Sequence, residues 1–157
     1  MKKAEFCECV NEYKNDLYII AYAILRNETD AEDAVSSAIL KAYEKRAQLR
    51  SVRKFKPWIL TITKNEALKI KQKRLELPGN EAVESLLTPV KDQYDELWDV
   101  IQGMKEEYRL VVVLFYYQDL ALKDIADVLG IPVGTVKSRL SRGKEMLKAV
   151  LERGDQA

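Results

Sequence analysis

Apolar residues recur at steps of three and four along the N-terminal part of the chain, the spacing that places them on one face of an α-helix. The first such series comprises Phe6, Val10, Tyr13, Leu17, Ile20, Ala21 and Ile24. The second comprises Ala34, Val35, Ala38, Ile39, Ala42 and Tyr43. Between them, the sequence Arg26-Asn27-Glu28 interrupts the pattern. The spacing of Thr29 and Glu32 is that of a capping box, which predicts Thr29 as the N-cap of the second helix.

A third helix is predicted from Pro57, which suits a first helical turn, to about Arg74. Its predicted apolar face consists of Ile59, Ile62, Ala67 and Ile70. Residues 75–92 contain Pro78, Gly79 and Pro89, show no sustained periodicity and are acidic, as is typical of a linker.

Helical spacing resumes after this segment, at Tyr94, Leu97, Val100, Ile101 and Met104. The eight apolar residues from Leu110 to Tyr117 fit either a buried strand or a buried helix. No partner strand is visible in the sequence, so a helix is predicted. The expected fold is therefore all-α: two small helical domains, residues 1–74 and 93–157, joined by a flexible acidic linker at residues 75–92.

The segment from about Ala121 to Lys148 has the pattern of a helix-turn-helix. The predicted inner stripe of its first helix is Leu122, Ile125, Ala126 and Leu129. Gly130 then supplies a residue for which a left-handed conformation costs little, and Pro132 suits the start of the next helix.

Projection at about 100° per residue separates the two faces of the second helix. The inner face consists of Val136, Leu140, Gly143 and Leu147. The outer face consists of Gly134, Lys137, Ser138, Ser141, Arg142 and Glu145. Lys137 and Arg142 can donate to base edges and the serines to phosphates, with Thr135 and Arg139 flanking the face. An ordinary helical hairpin with a solvated face is the alternative.

Charge is strongly segregated along a chain whose formal net charge is only +1. Residues 41–75 carry 12 basic and 2 acidic groups, whereas residues 76–119 carry 3 and 10. Residues 120–157 are again slightly basic, with 7 and 5. Two basic regions separated by an acidic one indicate two contacts with a polyanion. The alternative is a solvated basic helix face.

Composition argues against an enzyme and against a metal or cofactor site. The chain has no histidine, and its two cysteines, Cys7 and Cys9, supply too few ligands for a zinc site. They are predicted to be small apolar residues near the start of a helix. The N-terminus lacks a secretory signal pattern and no apolar run is long enough to cross a bilayer, so cytoplasmic localisation without membrane insertion is expected.

Three segments resemble one known family, the extracytoplasmic function (ECF, group IV) sigma factors. Residues 131–140, IPVGTVKSRL, closely resemble the family's promoter-recognition helix. Residues 30–35, DAEDAV, resemble the acidic start of the second helix of its N-terminal domain. Trp58, Ile59, Ile62 and Asn65 match its W-L-x-x-I-x-x-N pattern. The match covers nearly the whole chain except residues 75–92, with the segments in the family's order.

The resemblance implies a bacterial transcription initiation factor whose partners are core RNA polymerase and promoter DNA. Its N-terminal domain would bind the polymerase clamp through Asp30, Glu32 and Asp33 and recognise the −10 element. The implied −10 contacts are Arg53, Lys54, Lys56, Trp58, Thr61, Lys64, Asn65 and Leu68. The loop 50–56 corresponds to the element that captures a flipped-out base. The C-terminal domain would recognise the −35 element as duplex through Thr135, Lys137, Ser138, Arg139, Ser141 and Arg142.

Departures from the family pattern fall at Ser36, Ser37 and Ile39 in the second helix, at Met104-Lys105, and at Gly143, where alanine is common. An anti-sigma factor, frequent in the family, is an additional expected class of partner. Two other functions remain open: a helix-turn-helix regulator that binds duplex operators without polymerase, and an enzyme using the carboxylates of residues 30–33 with a metal.

Overall fold

The computed structural model describes residues 1–77 and 96–155. Across these two ranges the regular elements are all helices, as predicted, and none is long and apolar enough to cross a membrane. The chain divides into two compact units, Met1–Leu87 and Thr88–Ala157. Most of the predicted linker, from residue 78 onward, and the predicted helical position Tyr94 lie outside the described residues.

Within residues 1–77, unit 1 contains three helices, α1 (Lys3–Leu25), α2 (Glu28–Glu44) and α3 (Phe55–Glu76), each packed against the other two. Two short 3₁₀ turns, Arg46–Gln48 and Val52–Lys54, connect α2 to α3. The buried alanines of α2 let its neighbours approach closely; they are Ala31, Ala34, Ala38 and Ala42. The predicted α1 stripe is buried apart from Tyr13, and the seven residues Ile19–Leu25 are all buried.

The N-terminus of α2 differs from the prediction. Arg26 adopts a left-handed conformation (φ 54°) and its N–H donates to the Tyr22 carbonyl, which ends α1. Asn27 is then extended, and its side-chain oxygen accepts from the backbone N–H of Asp30 at 3.0 Å. The predicted cap at Thr29 was therefore wrong. Asn27 already satisfies a free N–H of the first turn, and Thr29 lies inside the helix.

The buried face of α3 also differs in part. Ile59 and Ala67 are buried as predicted, but Ile62 and Ile70 are only half-buried. Phe55, Leu60 and Thr63 occupy the core instead. The Thr63 hydroxyl donates to the Ile59 carbonyl at 2.8 Å, so its burial leaves no unpaired donor.

Ion pairs join α2 to α3 at both ends of their contact. The Glu66 carboxylate lies 3.4 Å from the Lys41 ammonium and 3.1 Å from that of Lys69. Burial alone would raise the pKa of Glu66, but the two ammonium groups hold it below its ordinary value. At the other end, Asp30 forms an ion pair with Arg74. The Lys41–Glu66 and Asp30–Arg74 pairs each link residues far apart in sequence.

An aromatic cluster fixes the start of α3. Phe55 is 1% exposed, and its ring centroid lies 5.9 Å from Phe6, 6.0 Å from Tyr13 and 5.9 Å from Trp58. Such pairs contribute beyond the burial of area alone. The exposed 3₁₀ turn that precedes α3 is therefore attached to a rigid, fully buried anchor.

Unit 2 contains α4 (Glu96–Gln102), α5 (Glu106–Tyr116), α6 (Leu122–Leu129) and α7 (Val133–Asp155). The run that fitted either a strand or a helix lies in α5 except for Tyr117, the C-cap residue, which confirms the helix; residues 109–114 are buried. Trp98 of α4 is 1% exposed and meets Tyr117 edge to face at 5.2 Å. The buried Arg109 guanidinium donates to the Met104 carbonyl at 2.8 Å.

Helices α6 and α7 form the predicted helix-turn-helix. Gly130 ends α6 in the left-handed conformation (φ 66°), as expected from its position. Ile125 and Ala126 of α6 are buried, but Leu122 and Leu129 are only half-buried and Val128 is buried in addition. The four predicted inner residues of α7 are all buried: Val136, Leu140, Gly143 and Leu147.

Gly143 marks the closest approach between α5 and α7. A Cβ placed on Gly143 would lie 2.6 Å from Cγ2 of Val112, which is fully buried in α5. A valine side chain has little rotational freedom, so it cannot move aside without disturbing the core. Glycine at this position is thus explained by packing.

We expect Gly143→Ala to lower the free energy of unfolding of unit 2 by up to about 2 kcal/mol. Overpacking costs about 1–3 kcal/mol, and the better helix propensity of alanine returns about 1 kcal/mol. Gly134→Ala in the same helix is the matched control, because nothing lies within 4 Å of its added Cβ. Urea unfolding would contradict the packing argument if the two variants were equally stable.

Candidate nucleic-acid interface

The outer face of α7 is exposed as the helical projection predicts. All six outer residues are exposed: Gly134, Lys137, Ser138, Ser141, Arg142 and Glu145. Thr135 and Arg139, at the edges of this face, are half-buried. The turn at Gly130 and the Pro132 carbonyl, which accepts from Val136 N–H at 3.1 Å, begin the helix so that its apolar stripe packs inward. The cationic and hydroxyl side chains consequently share one accessible surface.

Several of these side chains have partners within unit 2. The Arg142 guanidinium lies 3.2 Å from the Glu145 carboxylate, and that of Arg139 lies 4.0 Å from Glu107 of α5. The Ser138 hydroxyl donates to the Thr135 carbonyl at 3.1 Å, so it must rotate to donate to a phosphate. Neither carboxylate partner was predicted from the sequence. The spacing of Arg142 and Glu145 was a visible signal, whereas nothing local linked Arg139 to Glu107.

A second group of basic residues lies around the start of α3, in the preceding 3₁₀ turn and in the first helical turn. Arg53 and Lys54 are exposed on the 3₁₀ turn Val52–Lys54. Lys56 is half-buried, 3.8 Å from the Asp16 carboxylate and 5.4 Å from the centre of the Tyr13 ring. The first two cations are therefore more accessible to a nucleic-acid backbone than Lys56.

The predicted −10 contacts on α3 differ in how exposed they are. Trp58 packs against Phe55 and is half-buried, while Asn65 and Leu68 are exposed. The Thr61 hydroxyl donates to the Pro57 carbonyl at 2.8 Å. Burial lowers the pKa of the Lys64 ammonium, because the charged form loses hydration there. A phosphate beside Lys64 would restore stabilisation to its charged form.

The three acidic residues predicted at the start of α2 are not equivalent. Asp30 is half-buried and pairs with Arg74, whereas Glu32 and Asp33 are exposed. Glu32 lines a surface groove of about 650 Å³ between α1 and α2, together with Tyr18, Val35 and Ile39. Glu32 and Asp33 can therefore contact a partner directly, and Asp30 acts within the fold.

The cysteines occupy different environments. Cys7 is exposed and Cys9 is buried on α1. Burial raises the pKa of the Cys9 thiol, and the carboxylates of Glu12, Glu5 and Glu8 add to the effect. Among residues 1–77 and 96–155, no cluster of three cysteine or acidic side chains could hold a metal ion.

Each of the two units matches a known protein family. Residues 9–74 match the family model for sigma-70 region 2, and residues 94–147 match that for sigma-70 region 4. The chain is 33% identical to the ECF RNA polymerase sigma factor SigW of Bacillus subtilis, covering 93% of this chain and 88% of the relative. It is 29% identical to the RNA polymerase sigma factor SigV of the same organism, covering 98% and 95%.

Among solved structures, the chain is similar to the sigma factor RpoE of Bartonella quintana, determined with the anti-sigma factor NepR. The TM-score is 0.76 at 23% identity, covering 94% of this chain and 96% of that one. CnrH, determined with the cytosolic domain of CnrY, gives a TM-score of 0.68 at 22% identity, covering 97% and 90%. At these identities the similarity concerns the fold.

The matches to sigma-70 regions 2 and 4, one over each helical unit, define a sigma-70-type transcription factor. The chain belongs to the sigma-70 family and, within it, to the ECF sigma factors. The predicted family is confirmed. An alternative sigma factor directs transcription with RNA polymerase and promoter DNA as partners and is not an enzyme. The metal-enzyme alternative is not supported, and the polymerase-independent regulator is not favoured.

Proposed function

We propose that the two units divide promoter recognition between them. Residues 1–74 bind the polymerase clamp and recognise the −10 element, and residues 93–157 recognise the −35 element as duplex. The observation that carries this proposal is the exposed face of α7, where Lys137 and Arg142 lie opposite a buried apolar stripe. A helix of this form fits the major groove, where lysine and arginine donate to guanine.

The −10 contacts follow from the exposure of the α3 surface. Trp58 offers a ring for stacking, and Asn65 offers an amide for an exposed base edge. Arg53 and Lys54 offer charge to the DNA backbone. Stacking contributes about 1–3 kcal/mol per base, comparable with the few kcal/mol that unstacking a base costs. Local strand opening in this region then requires no ATP.

Polymerase binding is assigned to the exposed carboxylates Glu32 and Asp33 at the start of α2. Asp30 supports this surface indirectly, because its ion pair with Arg74 joins α2 to α3. We further propose regulation by an anti-sigma factor, since one similar structure was determined with the anti-sigma factor NepR and another with the cytosolic domain of CnrY. The site of action is the cytoplasm, together with RNA polymerase.

The decisive experiment is run-off transcription from a genomic fragment library with core RNA polymerase of the same organism. The expected result is a set of promoter-specific transcripts that require the chain. Gel-shift measurements with and without core enzyme test the polymerase-independent alternative. Tight sequence-specific binding by the chain alone, with no transcripts in the run-off assay, would favour a conventional regulator.

A further inference from the structure

The six outer residues of α7 include one carboxylate, that of Glu145. Glu145 lies on the same projected face as Lys137, Ser141 and Arg142, and no acidic residue occurs between Gly130 and Lys144. Its carboxylate is 3.2 Å from the Arg142 guanidinium, and the two side chains are 68% and 60% exposed. An acidic group at this position interacts electrostatically with any DNA group that approaches Arg142.

The effect of Glu145 differs for the two kinds of acceptor that DNA offers. A phosphate is an anion, so it is repelled by the Glu145 carboxylate as it approaches Arg142. The O6 and N7 atoms of guanine are uncharged acceptors that bind a guanidinium in a bidentate manner, so they meet less repulsion. The same carboxylate therefore disfavours a backbone contact more than a base contact.

We propose that Glu145 is a specificity-determining residue, which holds Arg142 away from phosphates and so suppresses binding to non-cognate DNA. The proposal rests on the proposed function, in which α7 enters duplex DNA. Glu145 acts through Arg142 and is a positioning residue. It weakens contacts to phosphates more than contacts to bases and thereby raises the ratio of specific to non-specific binding.

The test compares Glu145→Gln with Glu152→Gln in the full chain. Glu152 lies on the same helix and forms an exposed pair with Lys148 at 4.0 Å, so both variants remove one charge from one exposed pair of α7. The probe is a labelled 30-base-pair duplex of random sequence, titrated at several salt concentrations. Circular dichroism checks that both variants remain helical.

For Glu145→Gln we expect random-sequence affinity to rise about two- to fivefold. The slope of log affinity against log salt should become steeper by about 0.9, because Arg142 is released to neutralise one more phosphate. Glu152→Gln should leave that slope unchanged. Equal changes in both variants, no change in Glu145→Gln, or weaker binding by Glu145→Gln would each overturn the proposal.

A second arm separates this inference from the function on which it depends. Holoenzyme containing each variant is used to select from a promoter library with randomised −35 positions. Glu145→Gln should lower the preference for the selected sequence about two- to fivefold, and an unchanged preference would overturn the proposal. Absence of any selection by the wild-type holoenzyme would instead contradict the proposed function itself.

Discussion

Phe55→Ala is expected to lower the free energy of unfolding of unit 1 by about 3–5 kcal/mol. The ring is 1% exposed and contacts Phe6, Tyr13 and Trp58, so truncation removes three aromatic contacts and leaves a cavity. The loss is a large part of the 5–15 kcal/mol that typically stabilises a domain. Trp58 also loses its support, so strand opening at the promoter should decline with stability.

Hydrogen exchange resolved by peptide provides the measurement, because it reports unit 1 separately from unit 2. Amides of α1 and α3 should exchange faster in Phe55→Ala, while those of α5 should be unchanged. Leu75→Ala is the matched control, since Leu75 lies on the same helix and is 61% exposed. Its stability should remain within about 0.5 kcal/mol of wild type. Equal losses in both variants would mean that the aromatic cluster is not the anchor of α3.

Substitution of the cations on α7 should have the second large effect, on promoter binding by the holoenzyme. Lys137→Ala and Arg142→Ala are each expected to reduce affinity for the selected −35 sequence by about 5- to 150-fold, the range for a bidentate base contact. Both side chains are exposed, so the helix itself should remain intact.

Lys148→Ala is the control for this series. Lys148 is an exposed cation of the same helix that pairs with Glu152, outside the set assigned to DNA contacts. Its removal should change affinity only slightly and equally for all sequences, as expected for a lost general attraction. If Lys148→Ala weakened specific binding as much as Arg142→Ala, α7 would act by charge alone and not by base recognition.

The buried and exposed faces of α7 could be predicted from the sequence for a physical reason. Its buried stripe, including Val136 and Leu140, alternates with polar residues over several turns, so periodicity alone separates the two faces. α3 lacks this clarity. There a buried threonine, Thr63, satisfies its hydroxyl on the Ile59 carbonyl, and no hydrophobicity pattern can indicate such a hydrogen bond in advance.

The remaining differences between prediction and structure arise where more than one residue could take the same role. Asn27 and Thr29 are both good N-caps, and the left-handed conformation of Arg26 selects Asn27. The sequence likewise could not predict how accessible each candidate DNA or polymerase contact would be. Asp30 pairs with Arg74, and the two residues come within reach of each other only because α2 packs against α3. Tertiary packing thus decided which predicted contact residues pair with residues distant in sequence.

The unequal burial of the two cysteines has a practical consequence for spectroscopy. Cys7 is exposed near the start of α1, whereas Cys9 is buried with a raised thiol pKa. The thiolate is the species that reacts with maleimides, so Cys9 should react slowly at neutral pH. The unmodified chain thus carries a natural attachment point for one fluorophore in unit 1. With a second dye on a promoter fragment, energy transfer can follow holoenzyme assembly in real time.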